Sequence, residues 1–344
     1  MDNHLEDVAC VACGSRRRRP YLRKLGMTIV KCRRCGQVYV SPRLTEEHLF
    51  TRYNRDYFEK EYLPAFGAGP DSYSLETAVD RFELFLEILK MSALPGRRIL
   101  DVGAGGGFFV KAARHVGFEA EGVELSAEAA AYGRNVLGVP VQTGVFQNVD
   151  YPPASFDAVV MLDTLEHLQD PLADLIKART ALKPGGRLVL HTPDLRSLSR
   201  LILGPGWAVF SPLEHVAYFR RKTLAALLRR AGFRIIGIRN FSRFNLDYTH
   251  DKDGRRGRTW KNRLTRWAAS PFWKKMETYE RKELIRLIER SNGGRRPILS
   301  NDPPLDVPVS IFLRLRRRLI AAAKRVFRGD QLLAVAEPDL PREN

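Results

Sequence analysis

Apolar and polar positions alternate along the middle of the chain in two rhythms, short oily runs and longer stretches of helical period. Arg98-Ile-Leu-Asp-Val102 is an oily run that opens into a turn with glycines at 103, 105 and 107. A helix is expected from Phe108 to about His115, then a second strand over Phe118-Glu-Ala-Glu-Gly-Val-Glu124. Phe156-Asp-Ala-Val-Val-Met-Leu-Asp163 has the near-continuous apolar character of a strand buried on both faces. A helix from about Leu172 to Leu182 and the segment Lys183-Pro-Gly-Gly-Arg-Leu-Val-Leu190 follow. Strand and helix alternate in this way, as parallel sheets require. Farther on, Lys222 to Gly232 reads as a helix and Phe233-Arg-Ile-Ile-Gly-Ile238 as a strand. Its antiparallel partner comes only at Asp330-Gln-Leu-Leu-Ala-Val-Ala336, so residues 241–329 read as an insertion inside a hairpin.

The glycine turn is where chemistry enters. Glycines let a backbone approach a ligand closely, and the helix that follows aims its amide-rich end at that ligand. A dinucleotide fingerprint, G-x-G-x-x-G, needs glycine at 108, and Phe108 stands there.

The G-x-G-x-G turn preceded by Asp101, the acidic strand end at Glu124, the Leu165-Glu-His167 segment and the Leu182-Lys-Pro-Gly-Gly turn occur in order. In order and spacing they resemble the class I methyltransferases that use S-adenosylmethionine (SAM), over roughly residues 75–240. The resemblance implies an α/β, Rossmann-like fold with a mostly parallel seven-stranded sheet and SAM across the carboxyl ends of its first two strands. Carried over residue by residue, Gly103, Gly105 and Gly107 line the cofactor, Asp101 sits near its methionine end and Glu124 takes both ribose hydroxyls. Val145 and Asp163 complete the implied cofactor set. Many relatives place an acid after the third strand to meet the adenine amine. This chain reads Thr143-Gly-Val-Phe-Gln147, which implies backbone and apolar contacts instead.

At 344 residues and 44% hydrophobic composition the chain can bury one sizeable core and carry appendages. No run approaches the roughly 18 apolar residues of a membrane span and no cleavable leader opens the sequence, so a cytoplasmic protein is expected. The net charge of +18 is unevenly placed. Residues 1–45 hold ten Lys/Arg against three acids and residues 246–328 hold 22 against nine, leaving the rest near neutral. Basicity therefore concerns docking more than the chemistry.

All four cysteines lie in the first 35 residues, as Cys10-x2-Cys13 and Cys32-x2-Cys35. Each pair with its following Gly14 or Gly36 suits a tight knuckle, and four thiolates suit tetrahedral zinc. Two disulfides are the alternative, disfavoured because nothing suggests secretion. The segment from Cys10 through Cys35-Gly-Gln-Val-Tyr-Val-Ser-Pro-Arg43 to Tyr53 and Tyr57-Phe58 is similar to the start of a bacterial group of methyltransferases in which a zinc ribbon and an aromatic linker precede the catalytic domain. That group implies a sugar, glycolipid or secondary-metabolite acceptor. The expected organisation is a small zinc ribbon (1–45), an aromatic linker (46–74), the SAM-binding core (75–240), a basic helical insertion (241–329), then the last core strand and tail (330–344).

Within the insertion, Phe312, Leu315, Leu319, Ala322, Ala323 and Val326 recur at helical spacing, while Arg314, Arg317, Arg318, Lys324, Arg325 and Arg328 populate another face. Such a helix packs on the core with its charged side in water, or docks on an anionic membrane surface aided by Trp260, Trp267 and Trp273. The second case makes the protein peripheral at the inner face of the membrane. Residues 291–308 read as a connector.

An oxygen or carbon acceptor usually needs a base. His167 and His215, in loops that open at the carboxyl edge of the sheet, are the candidates, with His191 a third choice. Each is also suited simply to fix its loop. Where methylases of exocyclic base amines carry Asn/Asp-Pro-Pro-Tyr, this chain has Leu162-Asp-Thr-Leu165, which disfavours that reaction. Three readings stand: a SAM-dependent methyltransferase acting on an oxygen, carbon or sugar-nitrogen acceptor of a small molecule, sugar or lipid-linked intermediate; an RNA methyltransferase using the ribbon and insertion to hold phosphates; and a non-catalytic SAM-binding scaffold.

Overall fold

The computed structural model describes residues 4–66, 68–70, 75–241 and 330–339. The chain starts with β1 (Leu5–Glu6), a hairpin of β2 (Arg18–Lys24) and β3 (Met27–Cys32), then β4 (Val38–Val40) and β5 (Arg43–Leu44), which returns to pair with β1. Leu25 and Gly26 turn the hairpin, both with positive φ, 49° and 76°, as a two-residue turn with the twist of the flanking strands demands. The segment expected as a linker is folded into helical pieces. These are α1 (Glu46–Phe50), α2 (Arg55–Tyr57) with Asn54 capping its amides, a π turn over Phe58–Tyr62 and α3 (Leu63–Ala65), before the longer α4 (Leu75–Ser92).

The alternation read from the sequence is present from residue 98 onward. β6 (Arg98–Val102), α5 (Phe108–His115), β7 (Glu119–Glu124), α6 (Ala127–Asn135), β8 (Val141–Thr143), β9 (Phe156–Leu162), α7 (Pro171–Ala181) and β10 (Leu182–Pro193) follow one another. Pro171 opens α7 while the Asp170 carboxylate accepts from the Leu172 and Ala173 amides, so the helix starts where its cap dictates. Lys183-Pro-Gly-Gly186, expected as a turn, lies inside β10 as a register shift between Leu182 and Arg187. After β10 come α8 (Leu198–Leu203), β11 (Ala217–Tyr218), α9 (Arg221–Arg230), β12 (Phe233–Phe241) and β13 (Gln331–Pro338).

Seven strands form one sheet in the order β12-β13-β10-β9-β6-β7-β8. Pairings among β10, β9, β6, β7 and β8 are parallel, and β13 runs antiparallel to both β10 and β12. The partner strand expected near residue 330 is therefore β13. The intervening basic segment, with the helix expected over 309–328 and the three tryptophans, lies outside the described residues. Helices cover both faces of the sheet, with Phe156, Leu190 and Leu227 in the core of one side and Ile99, Phe109 and Val189 in that of the other.

The ribbon is not a separate lobe. β11, from the loop after α8, pairs antiparallel with β4 and completes a four-stranded sheet, β11-β4-β3-β2. Cys10, Val30, Cys32 and Tyr39 pack in the same core as Phe219, Leu224 and Leu227. Among the described residues no helix is long and apolar enough to cross a membrane.

Leu190 is fully buried in register with Met161 of β9 and Ala334 of β13. Leu190→Ala should lower stability by about 2–5 kcal/mol, read from urea unfolding midpoints, because the surrounding strands cannot collapse onto the cavity.

Candidate functional site

The strands β6, β7, β9 and β10 all end on one edge, and the sequence-predicted residues gather there. At the end of β6 the chain turns through Gly103, Gly105 and Gly107, with φ of 74°, 53° and 80°. Side chains rarely adopt these values. A Cβ on Gly103 would meet Thr164 Cγ2 at 2.5 Å, and one on Gly105 would overlap the Tyr62 hydroxyl. The Gly103 and Ala104 amides donate to the Val123 carbonyl at 2.9 and 3.1 Å, which ties the turn to β7.

Glu124, at the end of β7, accepts from the Gly105 amide through Oε2 at 2.7 Å and from the Ser126 amide through Oε1 at 2.8 Å. Burial raises its pKa above the usual carboxylate range although these amides oppose the shift. Asp101 is 3% exposed and is pushed up to about 8, by burial first and by the Glu124 charge second. Neither carboxyl is paired with a Lys or Arg among the described residues. Val145 sits where β8 leads into a short turn, its carbonyl accepting from Asn148 at 2.8 Å, at the far side of the same edge.

Asp163 follows β9 in a left-handed conformation, φ 51°. Its side chain is 42% exposed, and Oδ1 lies 3.1 Å from His191 Nδ1 on β10. His191 is 4% exposed, packs edge-on against Phe241, and its Nε2 has no hydrogen-bond partner among the described residues. Glu166, 2% exposed, is pushed up to about 8 by burial and by Asp163, while the Thr192 hydroxyl donates to its Oε2 at 2.8 Å.

The two expected bases meet: the rings of His167 and His215 are 4.6 Å apart, edge to face. They are not equivalent. His167 Nδ1 is 2.9 Å from the Tyr53 hydroxyl and the ring also hydrogen-bonds the Glu214 backbone. Desolvation, followed by the neighbouring His215, pushes it down to about 3. The His167 ring thus engages the Tyr53 hydroxyl and the Glu214 backbone. His215 Nδ1 donates to the Val209 carbonyl at 2.8 Å, which puts the basic lone pair on Nε2.

The segment 46–66 supplies residues the sequence reading left unassigned. The Tyr62 hydroxyl accepts from the Gly106 amide at 3.1 Å, and its ring lies among Phe58, Phe66 and Phe108 over the glycine turn. Arg52 pairs with Glu214 in the His215 loop. The run of aromatics from Tyr53 to Phe66 was the available signal, but no spacing in it says which partner each ring finds.

The four cysteines form the other site. Their sulfurs all lie within 4.8 Å of one another, with Cys10–Cys35 at 3.5 Å and Cys13–Cys32 at 3.6 Å. None of the four is joined in a disulfide. The Gly14 amide donates to the Cys10 carbonyl at 2.7 Å and the Gly36 amide to the Cys32 carbonyl at 3.1 Å, which closes two matching knuckles.

A family model described as a methyltransferase domain matches residues 76–237. A ubiquinone biosynthesis O-methyltransferase from Xanthomonas campestris is 41% identical over 106 residues, 29% of this chain and 44% of that protein, so the chain spans less than half the length of this relative. One of the same description from Xylella fastidiosa is 30% identical over 194 residues, covering 51% of this chain and 71% of that protein. A solved SAM-dependent methyltransferase from Archaeoglobus fulgidus is 18% identical, with a TM-score of 0.46 over 80% of this chain and 97% of that one.

Tyr53→Phe should leave His167 Nδ1 without its donor in a buried site, lowering stability by about 1–3 kcal/mol by thermal unfolding, more than removal of an exposed hydroxyl.

Proposed function

We propose, since this chain belongs to the class I SAM-dependent methyltransferase family, that it transfers a methyl group from SAM to a hydroxyl oxygen of a small-molecule acceptor held at the carboxyl edge of the sheet. The observation that carries this reading is the left-handed glycine turn after β6 closed onto the Glu124 carboxylate.

The residues present suit the cofactor. The turn carries no side chain of its own at 103, 105 and 107, where Thr164, Tyr62 and Val139 pack close, and the buried carboxyls of Asp101 and Glu124, with no Lys or Arg partner among the described residues, suit a ligand that brings positive charge. In this reading Gly103, Gly105 and Gly107 line the methionine portion beside Asp101, Glu124 takes the ribose hydroxyls, Val145 borders the adenine and Asp163 the reacting end. SAM supplies an electrophilic methyl group on a sulfonium.

Everything else falls to the protein, and for an in-line displacement that is alignment and water exclusion. Tyr62 and its aromatic neighbours roof the turn. His215 Nε2 is the atom suited to take the acceptor's proton, its tautomer set by Val209. His167 acts by position, holding Tyr53 and the loop at Glu214 in place. The names of the Xanthomonas and Xylella relatives support oxygen over carbon or sugar nitrogen as the acceptor atom. A lipid-linked acceptor and a position at the inner membrane face rest on the sequence pattern of 309–328. No observation favours the RNA or scaffold readings.

We further propose that the cysteines hold zinc. Four sulfurs about 2.3 Å from a tetrahedral ion lie about 3.8 Å from one another, near the 3.5 Å of Cys10–Cys35 and the 3.6 Å of Cys13–Cys32. A disulfide needs about 2.05 Å.

Isotopically labelled SAM incubated with the protein and a fractionated lysate should place label in the small polar or lipid pool. Label confined to RNA would promote the RNA reading, and no transfer above a Gly105→Arg blank would reject catalysis. Glu124→Ala should weaken SAM binding by about 1–3 kcal/mol in calorimetry, and unchanged affinity would remove Glu124 from the site.

The raised pKa of Asp101 gives a pH test. Between the ordinary carboxylate range and about 8, the folded protein holds a proton that the unfolded chain has released, so this group's contribution to stability falls as pH rises. A cationic ligand favours the ionised carboxyl and draws that proton off on binding. SAM affinity should therefore rise from about pH 6 to about pH 8 and then level, and Asp101→Asn should flatten most of that slope.

A further inference from the structure

Two arginines tie the cysteine knuckles to the methyltransferase core, one from each end of α9. Arg220 donates through Nη2 to the Cys35 carbonyl at 3.1 Å, and Arg230 donates through Nη1 to the Ala12 carbonyl at 3.4 Å. Each knuckle thus receives one guanidinium. Four thiolates around a zinc ion carry a net charge of −2, which two guanidiniums match. Arg220 Nε is buried beside Cys35 with no hydrogen-bond partner among the described residues, a donor that an ionised sulfur cluster would suit.

The same region is stitched to the acceptor side by backbone. The Cys32 amide donates to the Gln37 carbonyl at 2.8 Å, and Gln37 Nε2 donates to the Tyr218 carbonyl at 3.1 Å. The Val40 amide donates to the Val216 carbonyl at 2.9 Å, and the Val216 and Ala217 amides both donate to the Glu166 carbonyl, at 2.9 and 3.2 Å. A continuous hydrogen-bonded path therefore runs from the second knuckle through β4 and β11 to the residue before His167. Beneath it, Ile29, Val38 and Val40 of the ribbon pack with Trp207, Phe210 and Tyr218 of the loop that carries His215.

We infer that the ribbon is a wall of the acceptor site: metal at the four cysteines holds residues 207–218, and with them His215, in register against Glu166 and His167, with Arg220 and Arg230 as positioning residues. The assignment of this edge to an acceptor rests on the proposed methyltransferase activity. The glycine turn makes none of the hydrogen bonds in this path. The glycine turn hydrogen-bonds to β7, Glu124 and Tyr62, so the metal governs acceptor geometry and not SAM binding.

The test uses the full-length protein. Metal analysis should find about one zinc per chain in freshly purified, reduced protein. Removing it with a chelator should speed hydrogen exchange in peptides covering 207–218 by about tenfold or more, while SAM affinity by calorimetry stays within about twofold. Arg220→Ala should speed the same peptides with zinc retained, and Arg220→Lys, which keeps a charged donor, should restore protection. Absence of zinc, unchanged exchange at 207–218 after its release, an Arg220→Ala protein that exchanges like the wild type, or loss of SAM binding in step with zinc would each overturn the inference. Failure of the zinc-loaded wild type to bind SAM would instead overturn the proposed activity, and the exchange comparison would still decide whether metal orders the loop.

Discussion

A carboxyl group taken out of water without a cation resists ionisation, and the carboxyl edge of this sheet gathers three that do so, Asp101, Glu124 and Glu166. Parallel strands place their carboxyl ends on one side, so any acids there crowd together. The fold relieves the crowding only in part. Glu124 has two backbone amides and Glu166 one threonine hydroxyl, whereas Asp101 is left with burial and a neighbouring negative charge. The cofactor proposed from the family carries positive charge, which would favour the ionised form of such carboxyls.

The second dependence is mechanical. A domain of about 40 residues with little core of its own usually needs a metal or disulfides to stay folded. Here the ribbon has a further support in the core it shares with Phe219, Leu224 and Leu227, and the core receives in return a strand partner for β11. The exchange is reciprocal. A loop as long as the one from α8 to β11 would be free to wander if its last residues were not held between Val40 on one side and Glu166 on the other.

The sheet, the glycine turn and the acids at its strand ends were legible in the sequence because each depends on local pattern. Apolar runs, a glycine turn and an acid at a strand end are all encoded within a few residues of where they act, and even β13 was found across the long insertion because its oily run has no other place to go. The surroundings of His167 and His215 were only partly legible. His167 and His215 were named, but nothing local shows that a tyrosine from residue 53 and the backbone of residue 214 occupy the first while Val209 fixes the tautomer of the second. The pairing of Asp163 with His191 joins the ends of two adjacent strands whose register a sequence alone does not give. Nor did the cysteine spacing say that the ribbon would share a sheet with residues 217–218.

This division has a chemical logic. In the proposed reading, cofactor binding falls to a compact stretch, residues 101–126, in which Glu124 closes onto the Gly105 and Ser126 amides. Choosing an acceptor requires a wall that can vary without disturbing that stretch. In the proposed reading that wall comes from three separate places: the aromatic helices after the ribbon, the ends of β9 and β10, and the loop from Trp207 to Tyr218. The parts are held to one another by cross-connections, Tyr53 to His167, Arg52 to Glu214 and β4 to β11, rather than by a common element. Substitutions in those connections would therefore reach the proposed acceptor side through displaced loops while leaving the glycine turn as it is, which places the control of specificity, in this reading, far from that turn in sequence.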